Sequence, residues 1–355
     1  MRYKEFKKFL IEYKGIAQAK DTILQKISAL DPKDELGAKL LDRIFKVLNS
    51  DDIGGKIQKA FINPTAGEPF APNVLQQHIN NIAEIISRVD TDYKSMNAFL
   101  KILAKGDAIK LDEFKKPVTS FTAICNNNAV AIKVLGALVG YGQGSKRKGP
   151  GEFALAFMSP GIRLAEGQGD IEIDGIGKVE LKAETTQGGG RLGMNGPSRD
   201  SQVAILQAEA PELLQAMGSK KSANIPAMVK YMNAVYPLPN AKNKNKRIEI
   251  ATKVLTLTFG DTFGPAMGQY FGEADENTVA ANVFALNFEH YKAQDDFDAL
   301  VFINFPMGKI MTAKSAKDIL ALIKAGHLTP SSGAFIHSTQ ASEVFGQLKA
   351  TKIKS

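Results

Sequence analysis

The chain has 355 residues, 44% hydrophobic content and a net charge of +8, which suits two or three compact units with buried cores and favours a polyanionic partner. Its single cysteine, Cys125, excludes internal disulfides and cysteine-rich zinc sites, which favours a reducing compartment. No segment reaches the apolar length of a membrane span and MRYKEFKKFL lacks a signal peptide's apolar stretch, so we expect a cytoplasmic protein without a membrane partner.

Residues 1–115 are predicted to form a helical N-terminal domain. Apolar residues recur there at three- and four-residue spacing, typical of amphipathic helices, in AKLLDRIFKVLN and VLQQHINNIAEIISRV. A short segment from Val118 to Cys125 follows. A helix through NAVAIKVLGALVGY comes next, and we expect it to pack behind a β-sheet.

A basic cluster then precedes a short predicted helix, FALAFM. Lys146, Arg147 and Lys148 lie in a glycine-flanked stretch. Such a run is most often a solvated surface, and the alternative is contact with a phosphate backbone. In the short helix, Pro150 lies near the first helical position and Glu152 lies in the first turn, where a carboxylate complements the helix dipole.

The segment 169–184, GDIEIDGIGKVELKAE, alternates charged and apolar residues on both sides of a turn, as a β-hairpin does. The apolar residues of both strands must reach the same core, so the register must pair residues of equal parity. This register places Asp170 across from Glu180. It also places Glu172 across from Lys178.

Two carboxylates therefore lie side by side on the charged face. Opposed side chains are about 4.5–5.5 Å apart at Cβ, where like charges repel unless a cation lies between them. Oxygen ligands suit Mg²⁺, which would polarise a phosphoryl oxygen and lower the pKa of a bound water. Lys182 is next along this face and would orient or deprotonate that water, or neutralise the developing charge. The face therefore predicts phosphodiester hydrolysis, with Asp170, Glu180 and Lys182 as catalytic residues and the two carboxylates as metal ligands.

A glycine-rich stretch, TTQGGGRLG at 185–193, is predicted to be a loop. Its glycines would let the backbone approach a phosphate, and Arg191 would hold that phosphate; the alternative is a linker into the next helix. Residues of about 200–280 are predicted to be mainly helical, with NAKNKNKR at 240–247 as a loop outside the core. The candidate DNA contacts in that loop are Lys242, Lys244, Lys246 and Arg247.

The apolar run ALVFINF at 299–305 predicts a buried strand, and KIMTA at 309–313 predicts a second one. Ser315 with Asp318 three residues later predicts a capped helix start. These elements would complete the sheet begun by the hairpin. The domain prediction is therefore a core at 116–325 with a helical insertion at about 200–280, followed by a C-terminal tail at 326–355.

The order Gly169-Asp170, a spacer, then Glu180-Leu181-Lys182 resembles the PD-(D/E)xK nuclease signature, with glycine where the signature has proline. The resemblance covers roughly residues 145–192 and continues near 285–325. It implies an α/β fold in which a mixed central sheet is flanked by helices. It also implies that Glu152 joins Asp170 and Glu180 as a third metal ligand.

The function implied by the resemblance is that of a Mg²⁺-dependent DNA endonuclease, in which Mn²⁺ can substitute. Double-strand cutting needs two sites or two visits, so a homodimer is expected. Two alternatives stay open because a fold does not fix a function. One is a non-catalytic nucleic-acid-binding or assembly protein that retains the fold, and the other is a nuclease acting on RNA or branched DNA.

Overall fold

The described part of the chain has an α/β fold, with twelve α-helices and a mixed sheet of six consecutive strands and a seventh beside them. This confirms the predicted fold class at the level of a mixed sheet with helices around it. The identity of the sheet as a nuclease core stays a prediction. The computed structural model describes residues 35–61, 72–89, 92–139, 141, 151–165, 168–185, 188–189, 191–195, 204–205, 207–216, 225–305, 307–331 and 343–350.

The elements follow one another in a largely helical chain that is interrupted by short strands. The helices are α1 (Glu35–Leu48), α2 (Asp51–Phe61), α3 (Pro72–Val89), α4 (Tyr93–Lys105), α5 (Phe121–Ile124), α6 (Ala129–Val139), α7 (Glu152–Met158), α8 (Pro211–Ala216), α9 (Ile225–Val235), α10 (Ala241–Gln269), α11 (Glu276–Asp295) and α12 (Ala316–Lys324). The strands are β1 (Val118–Ser120), β2 (Ile162–Leu164), β3 (Ile171–Ile173), β4 (Gly177–Thr185), β5 (Gly188–Gly189), β6 (Arg191–Asn195), β7 (Ala299–Asn304), β8 (Lys309–Ala313), β9 (Leu328–Ser331) and β10 (Glu343–Ala350). Short 3₁₀ helices occupy Leu111–Lys115 and Tyr270–Gly272.

The larger sheet has the strand order β1-β8-β7-β4-β3-β2, and β5 pairs with β4 beside this path. Strand β3 is antiparallel to both β2 and β4. All six residues of β7 are buried, as in a strand that is covered on both faces. The predicted strands at 299–305 and 309–313 are therefore confirmed as members of the sheet that contains the hairpin.

By its internal contacts the chain divides into two compact units. The first is Met1–Ala183 with Gly308–Ile310, and the second is Glu184–Met307 with Met311–Ser355. This division does not follow the predicted boundaries near residues 115 and 325, which stay predictions. No helix among the described residues has both the length and the apolar character that a membrane crossing requires.

The first unit buries the apolar faces of its amphipathic helices. Ile44 of α1, Ile57 of α2, Ile82 of α3 and Phe99 of α4 are all fully buried. Helix α3 packs against α6, and α2 packs against α7 and β2. The helical prediction for the N-terminal region is confirmed over its described part, and residues 1–34 lie outside it.

In the second unit the stretch predicted as a lysine-rich loop begins a helix instead. Asn240 caps α10, since its side chain accepts hydrogen bonds from the backbone N–H groups of Lys242 at 2.9 Å and Asn243 at 3.1 Å. The prediction that 240–247 is a loop outside the core is therefore wrong. Helix propensity explains the outcome, because lysine is a good helix former and a capped start needs no apolar residue.

Arg247 is the largest departure from that prediction, because its side chain is fully buried. Its Nε donates to Phe271 O at 2.7 Å, its Nη2 to Glu273 O at 2.6 Å and its Nη1 to Asn233 Oδ1 at 2.8 Å. These bonds compensate for the burial of the charge. Arg247 is thus a structural residue of the second unit, which corrects its assignment as a DNA contact.

Two further predicted loops contain strands. The glycine-rich stretch at 185–193 includes β5 and the start of β6, and the predicted tail at 326–355 includes β9 and β10. Strands β6, β10 and β9 form a second, antiparallel sheet in that order. The prediction of a loop is wrong for 188–189 and 191–193. Strand β5 pairs with the neighbouring end of β4, whereas β6 pairs with β10, a partner distant in sequence. The boundary of the predicted tail stays a prediction.

Helix α10 doubles back on itself at Gly260, whose φ of 72° lies in the left-handed region. Glycines recur every four residues after this point, and a Cβ at Gly264 would overlap Cα of Thr256. A Cβ at Gly268 would likewise overlap Thr252. The two halves of α10 therefore pack backbone against backbone, at a separation that only glycine allows.

We predict that Gly264→Ala lowers the free energy of unfolding by about 1–3 kcal/mol, because the added methyl group forces the halves of α10 apart. Gly136→Ala is the matched control, since Gly136 also lies in a helix but has open space around its Cα. The control should gain up to about 1 kcal/mol from helix propensity. Urea unfolding of both full-length variants measures the difference, and an equal gain in both would contradict this close packing.

Candidate functional site

The observed hairpin has the predicted register. The paired residues are Ile171 with Val179, Glu172 with Lys178 and Ile173 with Gly177. Asp170 directly precedes β3. Its backbone N–H donates to Val179 O at 3.0 Å, so Asp170 lies beside the segment of β4 that contains Glu180. The direct pairing of Asp170 with Glu180 stays a prediction.

Glu180 and Lys182 lie on one face of β4 because two residues separate positions of the same parity. Glu180 is buried, with 6% of its surface exposed. Lys182 Nζ donates to Glu180 Oε1 at 2.5 Å, and the lysine side chain retains 20% exposure. The pair thus joins a buried carboxylate to an ammonium group that reaches the solvent.

Asp170 is held against the backbone of β4. Its Oδ2 accepts a hydrogen bond from the backbone N–H of Leu181 at 2.8 Å. Leu181 lies between Glu180 and Lys182 in the chain, so this bond fixes the Asp170 carboxylate beside the strand that carries the other two groups. The structure thereby places all three predicted catalytic residues on the same hairpin, with Asp170 directly before β3 and the other two in β4.

Gly169, which stands where the resembled signature has proline, has a backbone conformation that proline cannot adopt. Its φ is +75°, in the left-handed region, whereas a proline ring fixes φ near about −65°. A Cβ at this position would lie 3.3 Å from Val179 O. Both the positive φ and the closeness to Val179 O therefore favour glycine at position 169.

Glu152 is the first residue of α7, where the sequence placed it. Its residue exposure is 4%, and Gly151 precedes it as the N-cap with a φ of 99°. Every residue of α7 is buried. Glu152 is thus a buried carboxylate at a helix N-terminus, a position that favours negative charge.

The donor set can be compared with the needs of Mg²⁺. Within the residues that the structure describes, no group of three or more His, Cys, Asp or Glu residues is placed to hold a metal ion. Mg²⁺ takes oxygen ligands and usually only one or two protein carboxylates, so Asp170 and Glu180 fit its chemistry. The role of Glu152 as a third ligand stays a prediction.

The predicted DNA contacts divide into three groups. Lys146, Arg147 and Lys148 lie outside the described residues. Arg191 begins β6, where its backbone pairs with Gln347. Lys242 and Lys244 are exposed in the first turn of α10.

Lys246 is engaged by carboxylates of its own unit. Its Nζ lies 3.0 Å from Glu209 Oε2 and 3.4 Å from Glu249 Oε2. The hydrogen bond to Glu209, followed by the Coulombic attraction of both carboxylates, raises the pKa of Lys246. A DNA phosphate would have to compete with these two partners for the ammonium group.

Lys56 is a buried residue that was not predicted from the sequence. The residues of α2 that are buried are Ile53, Lys56, Ile57 and Ala60, at the spacing of one helix face. A lysine at a core position of a helical pattern is the signal that was overlooked. Its Nζ donates to Ser159 O at 2.8 Å, directly after α7.

Comparisons with protein-family models, with curated proteins and with solved structures find no match to this chain. The functional argument therefore depends on the geometry of the hairpin and on its motif.

We predict that Gly169→Pro lowers the free energy of unfolding, although it restores the proline of the signature. Proline cannot adopt a φ of +75°, so the chain before Asp170 would have to rearrange. Gly169→Ala should cost about 1–2 kcal/mol for the left-handed backbone alone. Thermal unfolding measures both against Gly55→Ala, a helical glycine with open space around it. A proline variant as stable as the wild type would contradict this conformation.

Proposed function

We propose that this chain is a Mg²⁺-dependent endonuclease that hydrolyses phosphodiester bonds in DNA. Asp170 and Glu180 would hold the ion, and Lys182 would act on the attacking water. The observation that carries the proposal is a pair of contacts on the hairpin. Asp170 Oδ2 accepts a hydrogen bond at 2.8 Å from the backbone N–H of Leu181, the residue after Glu180, and Lys182 contacts Glu180 at 2.5 Å.

Electrostatics supports a cation at this position. Like charges directly opposite one another destabilise a strand pair, and a buried carboxylate is costly unless it is compensated. A divalent ion would stabilise both carboxylates, and when bound it would polarise a phosphoryl oxygen and acidify a coordinated water. Mn²⁺ also suits carboxylate and water ligands, so it should substitute.

Lys182 has two states available in this arrangement. In one state, seen in the structure, it donates to Glu180. Neutralisation of Glu180 by a cation would free the ammonium group to donate to an attacking water or to a non-bridging phosphate oxygen. The partial exposure of Lys182 allows either partner to approach from solvent.

DNA is the proposed substrate because the net charge of +8 favours a polyanion and because the motif resembles that of DNA nucleases. Exposed cations such as Lys242 and Lys244 would contact phosphates without reading the sequence. RNA or branched DNA would use the same catalytic groups. These substrates would differ from duplex DNA only in the surface that positions the strand.

One observation favours the non-catalytic alternative. The Lys182–Glu180 contact is an internal ion pair, and such a pair can compensate a buried carboxylate without any metal. A chain that retained the fold only for binding would keep this pair permanently closed. Binding to DNA would then be independent of Mg²⁺.

We predict that Asp170→Asn and Glu180→Gln each reduce plasmid nicking by about 100-fold or more, because each removes a charge that would hold the ion. Both should retain DNA affinity, and nicking by the wild type should stop with EDTA. Glu172→Gln is the matched control, since Glu172 lies on the same hairpin with its side chain 43% exposed. It should cleave normally.

Lys182→Met should lose turnover but still bind Mg²⁺ in calorimetry, because the two carboxylates remain. Full nicking activity in the Asp170 or Glu180 variants would refute the assignment of the site. Loss of metal binding in the Lys182 variant would make the lysine structural. DNA binding without any cleavage by the wild type would favour the non-catalytic alternative.

We predict that replacing Lys146, Arg147 and Lys148 by glutamine weakens DNA binding and flattens its salt dependence. Each lost phosphate contact should reduce the log-log slope by about 0.9. The control is Lys94→Gln with Lys101→Gln, two exposed lysines of α4 to which no DNA contact is assigned. Fluorescence anisotropy at several salt concentrations measures the slopes of the cluster variant and of the control. Equal slopes would mean that the cluster makes no contact with DNA phosphates.

A further inference from the structure

Lys56 is a buried cation that reaches from the N-terminal helices to the end of α7. Its residue exposure is 7%, and its Nζ donates to Ser159 O at 2.8 Å and to Asp52 Oδ2 at 3.1 Å. Burial lowers the pKa of Lys56, and the hydrogen bond to Asp52 opposes that shift. Burying an ammonium group is costly, so its two acceptors define where the side chain can lie.

Ser159 begins the short connection from α7 to β2, and this connection is tied to the hairpin. Gly161 N donates to Ser159 Oγ at 3.2 Å. The backbone N–H of Asp174, in the turn between β3 and β4, donates to Gly161 O at 2.9 Å. A shift of Ser159 would therefore move both α7 and the edge of the hairpin.

The same connection is confined on its other sides by the N-terminal part of the unit. A Cβ at Gly106, after α4, would overlap the ring of Pro160. A Cβ at Gly161 would overlap Cδ1 of Leu111. These contacts exclude movement but carry no charge. The bond from Lys56 is the directional contact that α2 makes with Ser159.

We infer that Lys56 is a positioning residue for the proposed active site. By holding the Ser159 carbonyl it sets the position of α7, which begins at Glu152, and of β2, which pairs with β3 next to Asp170. The inference rests on the proposed function, with Glu152 as the predicted third metal ligand, and extends the site into the N-terminal helices.

The seven residues of α7 span about 10 Å at 1.5 Å per residue and are buried throughout, so a displacement at Ser159 is transmitted to Glu152. Misplacing a catalytic group by about 1 Å can cost about 100-fold in rate. A contact remote from the reacting atoms can therefore control turnover without touching substrate.

The test uses the full chain with Lys56→Met, which keeps the stem and removes the ammonium group, and with Lys56→Arg, which restores a cationic donor. We expect the methionine variant to lose about tenfold or more in kcat and to need more Mg²⁺, with an unchanged KM for plasmid DNA. The arginine variant should recover most of this loss. Lys59→Met, an exposed lysine of the same helix, should match the wild type.

A double-mutant cycle with Glu152→Gln separates positioning from general stability. If Lys56 acts through α7, its loss should have little further effect on kcat, or on the Mg²⁺-induced rise in Tm, once Glu152 is neutral. A purely structural role would instead reduce activity equally in both backgrounds. Should Lys56→Met fail to fold, Lys56→Gln, which keeps a shorter donor, takes its place in the cycle.

The outcomes separate the two proposals. Independent effects of Lys56 and Glu152 in a wild type that cleaves would overturn this inference alone, as would normal kcat in the methionine variant. A wild type that neither cleaves DNA nor gains stability from Mg²⁺ would overturn the proposed function, and the inference with it.

Discussion

The pairing of Ile171 with Val179 decides what the charged face of this protein contains. Side chains on a strand alternate with a period of two, so a slip by one residue would turn the isoleucines to solvent and bury the acids. The burial of Ile171, Ile173, Val179 and Leu181 prevents that slip. The same apolar contacts that stabilise the hairpin therefore also hold Asp170, Glu180 and Lys182 together.

The elements that could be predicted are those whose sequence pattern lies entirely within the element itself. The hairpin follows from strict alternation, β7 from an unbroken apolar run, and α12 from a capping box in which Ser315 and Asp318 bond reciprocally. The elements that were missed depend on distant partners. Residues 191–195 and 343–350 form strands by pairing with each other, and residues 347–350 also pair with 328–331. Arg247 reads as a surface cation until Phe271 and Glu273 present their carbonyls to it.

The candidate site likewise combines features that have a local sequence signal with features that have none. The register that pairs Glu172 with Lys178 could be derived from the hairpin sequence alone, because both strands belong to one local element. The left-handed backbone of Gly169 could not, since glycine is compatible with either sign of φ. Lys56 was missed because its acceptor, Ser159 O, is 103 residues away in the chain. A lysine on an apolar helix face signals a buried partner without identifying it.

The central place of β10 in the second sheet has a consequence for the order of events during biosynthesis. Strands β6 and β9 both pair with β10. The start of β10 at Glu343 lies 343 − 195 = 148 residues after the end of β6 at Asn195. At roughly 5–20 residues per second, a ribosome takes about 7–30 s to bridge that interval. Throughout it β6 has an unpaired edge, the kind of edge that other chains can join. Chaperone protection of the nascent chain would matter most in that interval, long after the hairpin at 171–185 has emerged.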